Sequence, residues 1–399
     1  MGTRYWLLLT AYLISCTGTW VYRLAVPLMV LDLTGSALGT GAVYALEYLP
    51  FLLIGLAGAV IADRFSRKAV LVAGDLAAGV LALALAGLAV LDRPPLWLVY
   101  VLVLLLSCVD PLYRPAFNAI VPSLVPADRL PVANARQHIG EHGTNLIGPV
   151  LGGALIVSFG YQTAILADSA SFLVSGALLA AVRSAPAVLD RGRSVAQDVR
   201  EGFGFLFRER REVLVTAWWA LSINFGVWLL LSDMVFYLTS YHHFSPGQLG
   251  VVYAFQGAGA IAGGVLGARL LRAVPPWALI SAGTAAGGLS MLAMIAARGP
   301  VLIGLAWMGQ FAGVGVAIVA NMTLRQRLIP DHLLGRILGI TRVIGWSSIP
   351  VAALVAGAFE SVTHDAYAMM AFAGVSWLAI AALMPRTRLR RAAADSAVR

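Results

Sequence analysis

Residues 183–212, RSAPAVLDRGRSVAQDVREGFGFLFRERRE, form a long stretch of the chain that is polar and strongly basic. Outward from either end the sequence turns apolar, one helix-length at a time. Upstream lie runs near 6–31, 39–62, 69–91, 96–121, 133–157 and 161–182; downstream lie runs near 213–238, 247–267, 277–297, 300–322, 333–357 and 366–384. A hydrocarbon core of about 30 Å takes ~20 residues of α-helix, so each run is long enough to cross it. Six runs, one insert and six more runs predict an all-α membrane protein of twelve transmembrane helices in two six-helix bundles. The bundles are expected over 1–184 and 213–385, joined by a linker over 185–212 and followed by a basic tail over 386–399.

The composition agrees. Hydrophobic residues make up 60% of the 399 and charged ones 12%, against about 45–50% and about 25% in soluble domains. The net charge of +9 is topology information and does not point to nucleic acid. If the N-terminus is cytoplasmic, one side receives Arg4, the Arg64–Lys68 cluster, Arg129, the insert, Arg269, Arg325, Arg336 and the tail; the other receives only Arg93 and Arg298. That bias predicts an even number of crossings with both termini in the cytoplasm. Cys16 and Cys108 both fall inside apolar runs, so no disulfide framework is expected. The first run lacks an A-x-A-like cleavage site and reads as a mature helix, not a signal peptide.

Two local echoes suggest duplication. Val125-Pro126-Ala127-Asp128 leads into a helix carrying Pro149, and Ile329-Pro330-Asp331 into one carrying Pro350. Within the insert, Val199, Phe203 and Leu206 recur at helical spacing; a surface helix over 195–207 or a plain tether both fit.

The loop after the second run reads Asp63-Arg64-Phe65-Ser66-Arg67-Lys68, with Asp75 inside the next helix. An acid followed closely by cations can cap a helix end and pair across a bundle face. This ordering resembles motif A of the major facilitator superfamily, with Ala59 where the pattern has glycine, and the resemblance implies a conformational latch at Asp63, Arg64, Arg67, Lys68 and Asp75. Gly148-Pro149-Val150-Leu151-Gly152-Gly153 combines a proline kink with small residues that permit close helix approach. It resembles the superfamily's antiporter motif C at Gly148, Pro149, Gly152 and Gly153, with Thr144 where a further glycine is usual. Pro115-Ala116-Phe117-Asn118, Leu130-Pro131-Val132-Ala133-Asn134-Ala135 and Asp168-Ser169-Ala170-Ser171-Phe172-Leu173 are similar to the subfamily of enterobactin exporters and macrolide efflux proteins. The resemblance implies the major facilitator fold, alternating access and export of a small molecule.

His138-Ile139-Gly140-Glu141-His142 also matches the H-x-x-E-H signature of a zinc protease class. Helical spacing puts His138, Glu141, His142 and Asn145 on one face. No third ligand stands nearby in sequence, so a polar, cavity-lining stripe is the stronger reading and no metal is expected.

Charges at membrane depth are costly and mark function or a structural pair. Counted at about 1.5 Å per residue, Arg23 and Glu47 share the outer half of the core, while Asp110, Arg114 and Glu141 lie in the inner half. Asp110 and Arg114, four apart on one helix, can pair. The coupling acids are ranked Glu141, then Glu47, then Asp110, with Arg23 and Arg114 as charge partners. In the second half the polar residues at depth are Asn224, Gln256, Gln310 and Arg342, with Asp233 near the outer end, so proton chemistry is assigned to the first bundle. Trp20, Tyr22, Tyr113, Trp228, Trp307 and Trp346 are aromatic candidates for cavity or belt positions.

Together these readings predict a secondary exporter of a small amphipathic molecule (drug, macrolide or siderophore type), exchanging it for protons in the bacterial inner membrane. It is expected to act as a monomer without a cofactor, and ATP hydrolysis is not expected to drive it, since no G-x-x-x-x-G-K-[ST] phosphate loop occurs. A uniporter or importer on the same fold and a lipid flippase are the alternatives; a membrane metalloprotease is the remote one.

Overall fold

The computed structural model describes the backbone of residues 2–64, 66–182, 204 and 211–386, and their side chains except at 55–64, 127, 131, 211, 331–332 and 334–336. The insert helix expected over 195–207, Gly204 apart, and the tail beyond Arg386 lie outside these described residues. The described residues are helical, with no strand among them. Eleven helices among them are long and apolar enough to cross a membrane. Exposed side chains such as Trp97, Ile139, Val157 and Phe372 belong to these helices; in lipid, such faces need no cover.

In the first half, α1 (Thr3–Thr34) and α2 (Ala37–Arg64) are separated by Gly35, whose φ of 61° is a left-handed cap. Its amide closes back on Leu31 O, and Ser36 Oγ accepts from Gly39 N to start α2. Helix α3 (Arg67–Leu88) is capped by Ser66, which accepts from Ala69 N. The fourth apolar run is interrupted: α4 (Leu96–Ser107) ends and α5 (Asp110–Ile120) begins three residues on. Pro111 explains the break, because a proline ring collides with the carbonyl four residues earlier, here Ser107.

The fifth and sixth runs merge into α6 (Leu130–Ala181), 52 residues broken only by Gly160 at φ 80°, ψ 177°. That conformation is essentially reserved for glycine. It is why eleven membrane-length helices are counted where twelve runs are read in the sequence.

The second half holds α7 (Arg211–Phe236), continued by a π-helical turn over Tyr237–Tyr241, then α8 (Pro246–Leu270), α9 (Pro276–Ala296) and α10 (Gly299–Leu328). The eleventh run breaks as the fourth does. Helix α11 (Asp331–Trp346) stops four residues before Pro350, and α12 (Ser348–Thr363) follows, then α13 (Ala366–Leu383).

The chain forms two compact units, Met1–Gly192 with Leu238–Ala254, and Arg193–Tyr237 with Phe255–Arg399. In the first, α1 packs along α6 and α3 packs on α6, around a core that includes Leu8, Tyr12, Leu71, Phe117 and Leu179. Residues 238–254 join this unit through small residues. A Cβ on Gly153 would lie 2.6 Å from Pro246 O, and one on Gly250 would lie 2.7 Å from Pro149 O. In the second unit Trp377 fills the space opposite Gly226, Gly287 and Gly288, and Trp219 Nε1 donates to Thr284 Oγ1 at 3.0 Å. Close packing of small residues supplies association where lipid removes the hydrophobic drive between helices.

Candidate functional site

A cavity of about 270 Å³ lies within the first unit, walled by α1, α2, α3, α4, α5 and α6. Five carboxylates line it (Glu47, Asp75, Asp110, Glu141 and Asp168) against two arginines, Arg23 and Arg114. Acids thus outnumber arginines in an apolar wall, where each must be paired or protonated to be tolerated.

Each acid has its own surroundings. Arg23 Nε pairs with Glu47 Oε1, and its guanidinium lies over Trp20, 5.2 Å from the ring centroid. Arg114 Nε bridges both oxygens of Asp110 at 2.9 and 3.1 Å. Glu141 Oε1 accepts from Tyr12 OH at 2.5 Å and Gln137 Nε2 at 3.1 Å, and Oε2 lies 3.4 Å from His138 Nδ1. Asp75 Oδ2 accepts from Ser175 Oγ at 2.5 Å and Tyr113 OH at 3.5 Å. Asp168 is 0% exposed, and neither of its oxygens has a hydrogen-bond partner among the described residues.

Of the residues singled out in the sequence, the structure brings Trp20, Tyr22, Tyr113, His142 and Asn145 to the same cavity as these charges. His138 touches Glu141 but its side chain is largely exposed. The other cavity candidates belong to the second unit. There Asn224 Nδ2 donates to Ala220 O at 2.9 Å, Trp307 packs edge-on to Phe311, and Arg342 lies over Trp346. Gln310 is fully buried with neither amide atom partnered among the described residues; Gln256 is buried too. Trp228 accepts at its carbonyl from Ser232 Oγ. No group of three His, Cys, Asp or Glu side chains that could hold a metal occurs among the described residues.

Asp75, grouped with the loop cations, sits on the cavity side of α3 more than two turns beyond Arg67, held by Ser175 and Tyr113. The described cations of that loop reach helix ends within the first unit: Arg67 Nη1 donates to Ala119 O at 2.8 Å and Lys68 Nζ to Ala180 O at 2.6 Å. Both carbonyls lie at helix C-termini, where cations are favoured. The side chains of Asp63 and Arg64 lie outside the described residues. Gly148 and Gly152 face α1, at Trp20 and Val21, while Pro149 and Gly153 face residues 246–250.

Among the described residues, the second unit also holds two buried acids, Asp233, counted near the outer end of its run, and Glu360, which the depth count passes over. Glu360 is 0% exposed on α12, and Asp233 on α7 is buried with both oxygens unpartnered among the described residues. Helices α7 and α12 pack on each other. The apolar run read to 357 stops short of Glu360, whereas the helix continues to Thr363. Arg325, read as a cytoplasmic surface charge, is buried and donates to Thr216 and Thr341 hydroxyls at 2.8 and 3.1 Å.

With this geometry in view, residues 8–354 match the Major Facilitator Superfamily. The chain belongs to that superfamily. It is a multi-pass membrane transporter of small molecules and not an enzyme. It is 26% identical over 373 residues to the multidrug efflux pump Tap of Mycobacterium tuberculosis, covering 88% of this chain and 85% of that protein. It is 25% identical over 197 residues to macrolide efflux protein A of Streptococcus pyogenes, about half of each chain (48% and 48%). The nucleoside transporter NupG shares its fold, with a TM-score of 0.79 at 12% identity over 96% of this chain and 100% of that one.

Proposed function

We propose that the chain exports a small amphipathic molecule by alternating access in exchange for protons, across a bacterial cytoplasmic membrane. The observation that carries this reading is the first-unit cavity, where five carboxylates meet two arginines among aromatic walls. Such a site suits protons and an apolar or cationic cargo better than an anionic metabolite. Two relatives are efflux proteins by name, which favours the outward direction.

The topology follows from α6. Its apolar part, Val132–Ala181, is 50 residues long, ~75 Å of helix, more than twice a core of about 30 Å. That length supports two crossings that turn at Gly160, and with them our reading of twelve crossings with both termini on the arginine-rich, cytoplasmic side. The crossings divide six and six around the insert, and the protein acts as a monomer.

Inverted membrane vesicles test the coupling. Dye or macrolide uptake is expected to follow an imposed pH gradient, to collapse with a proton–potassium exchanger and to ignore ATP. Uptake that equilibrates without regard to the gradient would make the protein a uniporter.

A further inference from the structure

We propose that Asp168 is an exchangeable cation site of this cavity, holding a proton that leaves when the cationic centre of an ammonium or phosphonium cargo takes its place. The inference rests on the reading of the cavity as the transport site and names a residue within it. The argument begins with what the other acids already have. Glu47 is bound by Arg23, Asp110 by Arg114, Glu141 by Tyr12 and Gln137, and Asp75 by Ser175. Asp168 alone among the five lining acids has neither oxygen partnered among the described residues, and it is fully buried. The neighbouring hydroxyls on its helix are spent on main-chain carbonyls, Ser171 Oγ on that of Asp168 and Ser169 Oγ on that of Gly79, both at 2.7 Å. A bare carboxylate in such surroundings is far costlier than a neutral carboxylic acid.

Asp168 lines the cavity, and α1 packs closely on it: a Cβ on Gly18 would come within 2.8 Å of Oδ1. The Tyr22 hydroxyl is likewise buried and unpartnered among the described residues. The groups that bear on Asp168 are Tyr22 and Arg23 from α1 and Glu47 from α2. Asp75 on α3, the Asp110–Arg114 pair on α5, and Glu141 with His142 on α6 complete the charged lining. Arg23 is held by Glu47, so Asp168 gains a full counter-charge only if that pair opens or a cation arrives. Trp20, Phe51 and Phe172 offer ring faces for the apolar body of such a cation. In the exchange the acid O–H bond breaks, the proton passes to water, and the carboxylate formed faces the incoming ammonium or phosphonium; no electron is transferred.

The test uses the full chain in lipid nanodiscs, wild type and Asp168→Asn, which preserves side-chain shape. Infrared difference spectra are expected to show a protonated-carboxyl C=O band in the wild type at neutral pH. The band should shift in heavy water, be absent from the variant and disappear when tetraphenylphosphonium is added. One proton is expected to be released per tetraphenylphosphonium bound by the wild type and none by the variant. A band retained in Asp168→Asn, a band unmoved by bound tetraphenylphosphonium, or no tetraphenylphosphonium binding to the wild type overturns the proposal. None of these readouts requires transport. Failure of gradient-driven uptake in wild-type vesicles would therefore sink the antiport reading separately.

Discussion

Tyr12 on α1 donates its hydroxyl to Glu141 on α6 at 2.5 Å, and this one bond ties the two longest partners of the first unit at the cavity wall. Gln137 and His138 complete the carboxylate's surroundings from its own helix. For Glu141 to exchange a proton, this tie must open. Glu141→Gln is expected to keep cargo exchange while losing gradient-driven export. Tyr12→Phe should cost about 0.5–2 kcal/mol of stability and alter the pH profile of export without abolishing it. Uphill export by Glu141→Gln with an unaltered pH profile would make Glu141 a structural residue. Vesicle uptake assayed across pH reads both variants.

Arg23 and Glu47 form a pair largely withdrawn from solvent, with side chains 20% and 9% exposed. Removing one member leaves the other charge uncompensated, which costs about 3–5 kcal/mol in buried pairs. Glu47→Gln and Arg23→Gln should each lower the thermal unfolding temperature of the purified protein markedly, with Arg23→Gln/Glu47→Gln recovering part of the loss. Strict additivity of the two single effects would show that the pair contributes nothing as a pair.

Much of this architecture is legible in the residues, for identifiable reasons. Pro111 and Pro350 stand inside apolar runs, and each helix ends four residues upstream. A count of helical rise places Arg23 level with Glu47, and the side chains pair. What escapes the count is direction around a helix. Asp75 is grouped with the charged loop just before its helix, and its side chain turns inward to Ser175. Asp168 stands out in the sequence only within a family-like stretch; its burial depends on Gly18 of a helix 150 residues away. Gly160 sits between two runs read as separate, and its non-helical φ and ψ divide α6 at that point.

Arg67 and Lys68 join the start of α3 to the last turns of α5 and α6 through Ala119 and Ala180 carbonyls. A side-chain hydrogen bond with a charged donor contributes about 1.5–3 kcal/mol where water is excluded and less where it is not. Arg67→Ala is expected to speed amide exchange over residues 117–123 several-fold, and Lys68→Ala, at an exposed site, to do so weakly at 178–182. Hydrogen-exchange mass spectrometry would show it. Unchanged protection at the end of α5 would mean that Arg67 serves topology alone.

Gly152 and Gly153 are neighbours with opposite duties. A Cβ on Gly152 would lie 3.2 Å from Val21 Cα, against α1. One on Gly153 would lie 2.6 Å from the Pro246 carbonyl, at the start of α8. Leucine at 152 therefore pushes apart α1 and α6, the main packing of the first unit, and overpacking of this kind typically costs about 1–3 kcal/mol. Gly152→Leu is expected to lower thermal stability and transport together. Leucine at 153 leaves the α1–α6 contact intact and displaces residues 246–247. In Gly153→Leu the Cβ meets a backbone oxygen at 2.6 Å, so it too should lower the unfolding temperature, and it should reduce transport at least tenfold. Thermal unfolding beside vesicle uptake reads both variants. Wild-type transport by Gly153→Leu would show that the approach of α6 to residue 246 is not used in the transport cycle.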